Sequence, residues 1–148
     1  MAQYLIDTNV LLRLVAPTAA QHALAVQAVR TLLARGDELM LAPQVVMEFW
    51  SVATRPLAVN GFGWTAADTE IEVAKLLAQF PLLPETPAVF SQWLRLVTAR
   101  GTVGKQVHDA HVVALLNVHN VSHLLTFNVA DFASYGINAI SPAVAESA

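Results

Sequence analysis

The chain contains no cysteine, which excludes disulfide bonds, thiol catalysis and zinc sites built from thiolates. Positive charge is also scarce, since eight Lys and Arg stand against eleven Asp and Glu and the formal net charge is −3. A surface with so few cations lacks the basic footprint of a protein that binds nucleic acid tightly through many phosphate contacts. The lack of cysteine fits a cytoplasmic location, which we expect for this chain.

Long apolar runs are absent too, although 55% of the residues are hydrophobic. No run approaches the roughly 18 to 20 residues that a membrane-spanning helix needs. The first residues lack a basic region and reach Asp7 at once, which is not typical of a signal peptide. The length predicts one domain over residues 1–148, and we expect part of its apolar surface to be buried at a subunit or partner interface.

Short apolar segments alternate with amphipathic ones along the whole chain. The predicted strands cover about residues 3–7, 38–41, 80–83, 122–126 and 137–140. The predicted helices cover about residues 8–16, 19–35, 43–54, 66–79, 86–99 and 106–118. This alternation predicts an α/β domain in which helices sandwich a mostly parallel sheet. In such sheets, functional sites form beyond the carboxyl ends of the strands.

Four acidic residues stand in apolar surroundings at two strand ends and two helix starts: Asp7, Glu48, Asp109 and Asp131. An unpaired buried charge is costly, and carboxylates that converge raise one another's pKa unless a cation lies between them. A cluster with only oxygen ligands suits Mg²⁺, or Mn²⁺ in its place. We therefore predict that the four acids converge at one edge of the sheet around such an ion.

Each of these acids also has a simpler structural interpretation. Asp7 could cap the helix that follows it. Glu48 lies at helical spacing from Gln44 and could belong to a solvated polar stripe. Asp109 stands in the first turn of its predicted helix, where negative charge is favourable, and Asp131 could be an ordinary loop residue. Only their joint placement favours the metal site.

The histidines offer a second metal hypothesis. His108 and His111 flank Asp109, and the four-residue spacing of His119 and His123 is similar to that of metal ligands. The segment between His119 and His123 has the pattern of a helix-to-strand turn, so we expect the two side chains not to share a face. A zinc site remains the lesser alternative.

Four segments of the chain together resemble the PIN-domain family and, within it, the VapC-type toxins of bacterial toxin–antitoxin pairs. They are Asp7-Thr8-Asn9 after the first strand, the stretch around Glu48 from Val45 to Pro56, Gly104 to Ala110, and Leu124 to Phe132. The segments follow the family's order and spacing and cover essentially the whole chain. The resemblance implies a magnesium-dependent endoribonuclease that hydrolyses RNA phosphodiester bonds, with single-stranded loops such as those of tRNA as its expected substrate.

The resemblance also implies roles for individual residues. Asp7, Glu48 and Asp109 match the family's three most regular acids and would be both catalytic and metal-binding. Many members carry aspartate where Asn128 stands here, so we assign the fourth position to Asp131 and an accessory role to Asn128.

Further residues are expected to orient the carboxylates or to contact RNA: Thr8, Asn9, Lys105, Thr126 and Asn128. Lys105 and the loop 101–104 are placed to meet the RNA backbone. The resemblance implies two protein partners as well, a second copy in a homodimer and a small VapB-like antitoxin encoded next to the toxin.

Two other function classes stay open at this point. One is a PIN-like subunit without catalytic activity that only binds or scaffolds. The other is a phosphatase or receiver-type domain, which also places Asp at a strand end. Such phosphatases have the pattern Asp-x-Asp, whereas Asn9 stands at its third position here. A receiver has a phosphate-accepting Asp at a central strand, which the segments ending at Leu41 and Leu83 lack.

Overall fold

The computed structural model describes residues 1–147. Its strands are β1 (Gln3–Ile6), β2 (Glu38–Met40), β3 (His123–Leu125) and β4 (Asn138–Ile140). Its α-helices are α1 (Thr8–Val15), α2 (His22–Ala34), α3 (Pro43–Thr54), α4 (Ala66–Gln79), α5 (Pro87–Arg100) and α6 (Gln106–His119). Short 3₁₀ helices cover Leu57–Val59, Val129–Tyr135 and Pro142–Ser147.

The strands form one parallel sheet in the order β2-β1-β3-β4. Tyr4 of β1 is in register with Leu39 on one side and His123 on the other. Leu5 and Ile6 point to opposite faces of the sheet, yet both are fully buried. Because consecutive strand residues are buried, layers cover both faces, as in other parallel sheets. The predicted α/β fold with a parallel sheet between helices is confirmed.

The strand predicted over residues 80–83 is wrong. Only an isolated bridge between Leu41 and Leu82 forms beyond the edge of β2. There the N–H of Leu41 donates to the Pro81 carbonyl and the N–H of Leu83 donates to the Leu41 carbonyl, each at 2.8 Å. Pro81 and Pro84 have no N–H to donate, so a longer strand cannot form around this bridge.

Two further boundaries differ from the prediction. The helix expected from residue 19 begins at His22, because residues 17–21 form turns after α1. The 3₁₀ helix Val129–Tyr135 was not predicted, and it places Asp131 in its first turn rather than directly at the end of β3. Short 3₁₀ segments have no periodicity long enough to be recognised in a sequence.

Helix ends follow local chemistry where the sequence contains a strong signal. The Thr65 hydroxyl accepts the N–H of Asp68 at 3.0 Å and caps α4, as predicted. Pro43 stands in the first turn of α3. Gly36 and Gly101 follow α2 and α5 with positive φ, which glycine adopts without strain.

The helices form two packed groups, each of which joins segments that are distant in the sequence. Helix α1 contacts α2 and α3, whereas α6 contacts α5 and the 3₁₀ helix Val129–Tyr135. The core between them is apolar, and its largest fully buried side chains include Tyr4, Phe49, Leu115 and Leu124. Within the described residues, no helix is long and apolar enough to cross a membrane.

Candidate active site

Asp7 lies at the carboxyl end of β1, at the centre of the sheet. Its N–H donates to the Leu125 carbonyl of β3 at 3.0 Å, so the ends of the two central strands meet there. Its carboxylate accepts hydrogen bonds from the Thr8 N–H at 2.8 Å, the Thr126 hydroxyl at 2.8 Å and the Asn9 amide at 3.3 Å. Asp7 is thus also the N-cap of α1. Burial raises the pKa of Asp7, and the charge of Glu48 adds to this, while the hydrogen bonds oppose it.

Thr126 and Asn9 join the segments that follow β1 and β3. The fully buried Thr126 hydroxyl donates to Asp7 and accepts from the Asn9 amide at 3.1 Å and from the Asn128 N–H at 3.0 Å. The Asn9 amide oxygen in turn accepts the Phe127 N–H at 3.0 Å. The three bonds use the full capacity of a hydroxyl group, so the Asp7 carboxylate is held in one orientation.

Glu48 approaches the same region from α3. One carboxylate oxygen accepts the Thr8 hydroxyl at 2.9 Å, and the other accepts the Gln44 amide at 2.7 Å. The half-buried Glu48 therefore points towards the end of β1 rather than lying on an open stripe. The helical spacing of Gln44 and Glu48 is compatible with a solvated stripe, but the structure shows that Gln44 instead orients Glu48.

Asp109 and Asp131 complete the arrangement from α6 and the 3₁₀ helix Val129–Tyr135. One cleft is lined by Glu48, Lys105, His108, Asp109, Asn128 and Asp131. Burial raises the pKa of Asp109, and the negative charges of Asp131, Asp7 and Glu48 raise it further, while His108 opposes them. The pKa of Asp109 thus reflects all three other acids, so the four predicted acids are electrostatic neighbours at one edge of the sheet.

A family model of the PIN domain matches residues 4–137 of this chain. The chain belongs to the PIN-domain family. This confirms the predicted family and decides against the receiver and phosphatase alternatives. No curated protein is similar enough in sequence to match this PIN domain.

Solved structures show the same fold across nearly the full chain. VapBC2 from Rickettsia felis, bound to a DNA fragment from their promoter, has 12% identity, a TM-score of 0.68, and coverage of 94% of this chain and 98% of that one. A toxin–antitoxin complex from Klebsiella pneumoniae has 21% identity, a TM-score of 0.66 and coverage of 94% and 97%. VapC20 from Mycobacterium tuberculosis has 16% identity, a TM-score of 0.67 and coverage of 90% and 95%. At these identities the similarity establishes the fold.

The donor set of this PIN domain fits a hydrated Mg²⁺ ion. Among residues 1–147, no three acidic or histidine side chains already form a group of direct metal ligands. Mg²⁺ keeps several of its waters and commonly takes only one or two carboxylates from a protein, so such a group is not required. A divalent cation beside Asp7 and Asp109 would also offset the burial and the repulsion that together raise the pKa of both carboxyls.

His111, His119 and His123 have partners other than the four site acids. His111 Nε2 contacts Glu85 Oε1 at 2.5 Å, and His119 Nε2 donates to a backbone carbonyl at 2.7 Å. His123 stacks on an aromatic ring of β1, with 4.7 Å between the ring centroids. These contacts explain the histidines as structural residues, and the part of the chain described here contains no histidine cluster for zinc.

Proposed function

We propose that this PIN domain is a metal-dependent endoribonuclease that hydrolyses RNA phosphodiester bonds and acts as the toxin of a type II toxin–antitoxin pair. The observation that carries the proposal is the placement of four carboxylates together: Glu48, Asp109 and Asp131 line one cleft, and Thr8 bonds to both Asp7 and Glu48. A protein that only binds or scaffolds has no need to hold four carboxylates so close together that the charges of the other three help to raise the pKa of Asp109. A metal-dependent nuclease does need them, because they hold the ion.

Asp7 and Asp109 would hold Mg²⁺, or Mn²⁺ in its place, with Glu48 and Asp131 binding it directly or through water. When bound, such an ion lowers the pKa of a water molecule and neutralises charge on the phosphate. The protein supplies the orientation, since buried hydrogen bonds from Thr126 and Thr8 fix Asp7 and Glu48.

Around the acids, other residues are available for the substrate. Lys105 is exposed at the rim of the cleft, where its ammonium group can meet an RNA phosphate. Asn128 is exposed at the same mouth, while Asn9 orients the loop that carries it. The adjoining loop 101–104 contains two glycines with positive φ and open space around them, so the RNA backbone can approach it closely.

Single-stranded RNA loops, such as those of tRNA, are the substrate class that we propose. A-form duplexes hide their base edges in a deep groove, so proteins that choose an RNA site read loops and ends. One solved structure with this fold, VapC20, is described as a Sarcin-Ricin loop cleaving toxin.

The proposed partners are a VapB-like antitoxin and a second copy of this chain, in the cytoplasm. Two of the similar structures are named as VapBC or toxin–antitoxin complexes. The surface also exposes large apolar side chains that an interface could bury, among them Met47, Leu57, Ile71, Phe90 and Leu94.

The nuclease proposal is tested with purified protein and single-stranded RNA. We expect cleavage with Mg²⁺ or Mn²⁺, none in excess chelator, and a loss of more than about 100-fold in Asp109→Asn, which exceeds the 10- to 100-fold typical of residues that only orient a ligand. The matched control is Asp68→Asn, an acid in the first turn of α4. Full activity of Asp109→Asn, or cleavage in chelator, would contradict the metal role.

The toxin role is tested by growth of the native host. Expression of the protein alone should arrest growth, and co-expression of the neighbouring gene should relieve the arrest. Asp109→Asn should be harmless yet still bind the neighbouring protein. If deletion of the neighbouring gene leaves a wild-type host healthy, the scaffold alternative is favoured instead.

A further inference from the structure

Asp109 and Asp131 line two clefts of the protein. The first contains Lys105 and His108. The second is lined by Arg100, Gln106, Ser134 and Tyr135 together with residues of the loop after α5. Asp109 and Asp131 line both clefts. An RNA strand that passes over these two acids from the cleft with Lys105 would therefore enter the cleft with Arg100.

Arg100 is the last residue of α5, and its guanidinium group is held in one position. Its Cζ atom lies 4.1 Å from the centroid of the Tyr135 ring. One terminal nitrogen donates to the Ser134 carbonyl at 3.3 Å and the other to the Ser134 hydroxyl at 2.5 Å. A guanidinium has five N–H groups, so most of its donors remain available in the described structure.

The charge of Arg100 is not neutralised by the acids beside it. Among the described residues, the ion pairs within 4.0 Å do not include Arg100, although it shares a cleft with Asp109 and Asp131. The side chain is exposed, and stacking on Tyr135 has already restricted its motion. A pre-positioned guanidinium with available donors is well suited to bind a phosphate with two parallel hydrogen bonds.

We propose that Arg100 binds the phosphate of an RNA nucleotide next to the cleaved bond, on the opposite side of Asp109 and Asp131 from Lys105. The inference rests on the proposed ribonuclease function and adds the course of the RNA, which runs from one cleft through the acids into the other. The competing explanation is structural: Arg100 joins α5 to the 3₁₀ helix Val129–Tyr135 and is favourable near a helix C-terminus.

The test measures binding of a fluorescein-labelled single-stranded RNA of about 12 nucleotides, a common site size for such strands. Asp109→Asn is the parent protein, so that the RNA stays intact. Adding Arg100→Gln should weaken the affinity about tenfold, the effect of losing charge-assisted hydrogen bonds. The slope of log affinity against log salt should also fall by about 0.7, as expected when one single-strand phosphate contact is lost.

The matched control is Arg95→Gln, on the same helix. Arg95 is exposed like Arg100 and bonds only to Gln92 among the described residues, so its removal should leave both the affinity and the salt slope unchanged. An equal loss in both variants would overturn the proposal, because it would show a general effect of net charge.

Arg100→Lys separates phosphate binding from the structural role. Lysine keeps the charge but not the planar stack on Tyr135, so this variant should restore the salt slope and part of the affinity. If it binds as weakly as Arg100→Gln, or if Arg100→Gln binds like the parent, the Arg100 proposal is wrong and the nuclease proposal stands. If the parent itself binds no RNA, both proposals fail. Thermal unfolding of each variant monitors the fold.

Discussion

At the scale of single residues, the site depends on one hydroxyl group. Thr126 donates to Asp7 and accepts from Asn9 and from the Asn128 N–H, with no exposure to solvent. A buried group with three bonds leaves three unsatisfied partners when it is removed, and their desolvation is not recovered. Thr126 therefore combines a stabilising role with the orientation of a carboxylate.

Thr126→Val keeps the shape of the side chain and removes the hydroxyl. We expect the free energy of unfolding to fall by about 1–3 kcal/mol and RNA cleavage to fall about 10- to 100-fold, because Asp7 loses an orienting bond. Thermal or urea unfolding and cleavage rates measure the two effects.

Thr69→Val is the matched control. Thr69 is also fully buried, but its hydroxyl donates to the carbonyl of Thr65, the N-cap of α4, at 2.8 Å and away from the four site acids. It should lose stability with little change in cleavage. Equal losses of activity in both valine variants would mean that Thr126 acts only through stability.

At the scale of elements, the position of α3 matters because it carries Glu48. The segment after α3 folds back onto its last turn, where the N–H groups of Phe62 and Trp64 donate to the carbonyls of Val52 and Ala53 at 3.1 and 2.9 Å. Gly61 permits this return, because a Cβ atom built there would lie 1.9 Å from the Arg55 carbonyl oxygen. No side chain fits without moving the backbone.

Gly61→Ala should therefore lower the free energy of unfolding by more than about 3 kcal/mol, at or beyond the upper end of overpacking effects. Gly136→Ala is the comparison, since Gly136 has positive φ but open space around it, and strain alone costs about 1–2 kcal/mol. Urea unfolding measures both variants. If Gly61→Ala proved no more destabilising than Gly136→Ala, the close approach to Arg55 would not be a real constraint.

At the scale of the whole molecule, the acid cluster makes stability depend on pH. The pKa of Asp109 is raised in the folded state, so the folded protein takes up that proton more readily than the unfolded chain. Its contribution is destabilising at neutral pH and disappears as the pH falls through the raised pKa towards the unfolded value of 3.8. Burial lowers the pKa of His123, so this residue makes the fold less stable as the pH falls below the ordinary histidine value of 6.5. Comparing Asp109→Asn with the wild type separates the two effects.

Without metal, Asp109→Asn should unfold a few degrees higher than the wild type at pH 7, because it removes a charge that is partly buried and repelled by three other acids. The difference should shrink as the pH falls through the raised pKa and vanish below the unfolded value of 3.8, where the Asp109 carboxyl is neutral in both states. Saturating Mg²⁺ should raise the unfolding temperature of the wild type at pH 7 and change that of Asp109→Asn much less. Calorimetry across pH measures all three effects, and a less stable Asp109→Asn at pH 7 would argue against repulsion at this site.

Much of the fold follows from local signals in the sequence. Periodic apolar positions, Pro43, Thr65 and the glycines after α2 and α5 act over a few residues, so most of the helices and strands could be predicted to within a few residues. The alternation of these elements determined the α/β class and the parallel sheet. The apolar settings of Asp7 and Asp109 indicated the candidate acids, and the absence of cysteine favoured the prediction of an ion with oxygen ligands.

Only the tertiary structure decided how these parts meet. The order β2-β1-β3-β4 places Asp7 beside Thr126, which is 119 positions away, and α3 turns Glu48 onto Thr8. The second cleft exists because Arg100, at the end of α5, reaches Ser134 and Tyr135 of the 3₁₀ helix Val129–Tyr135 beside Asp109. Such contacts depend on strand order and register across the whole chain, and no local pattern of residues contains that information.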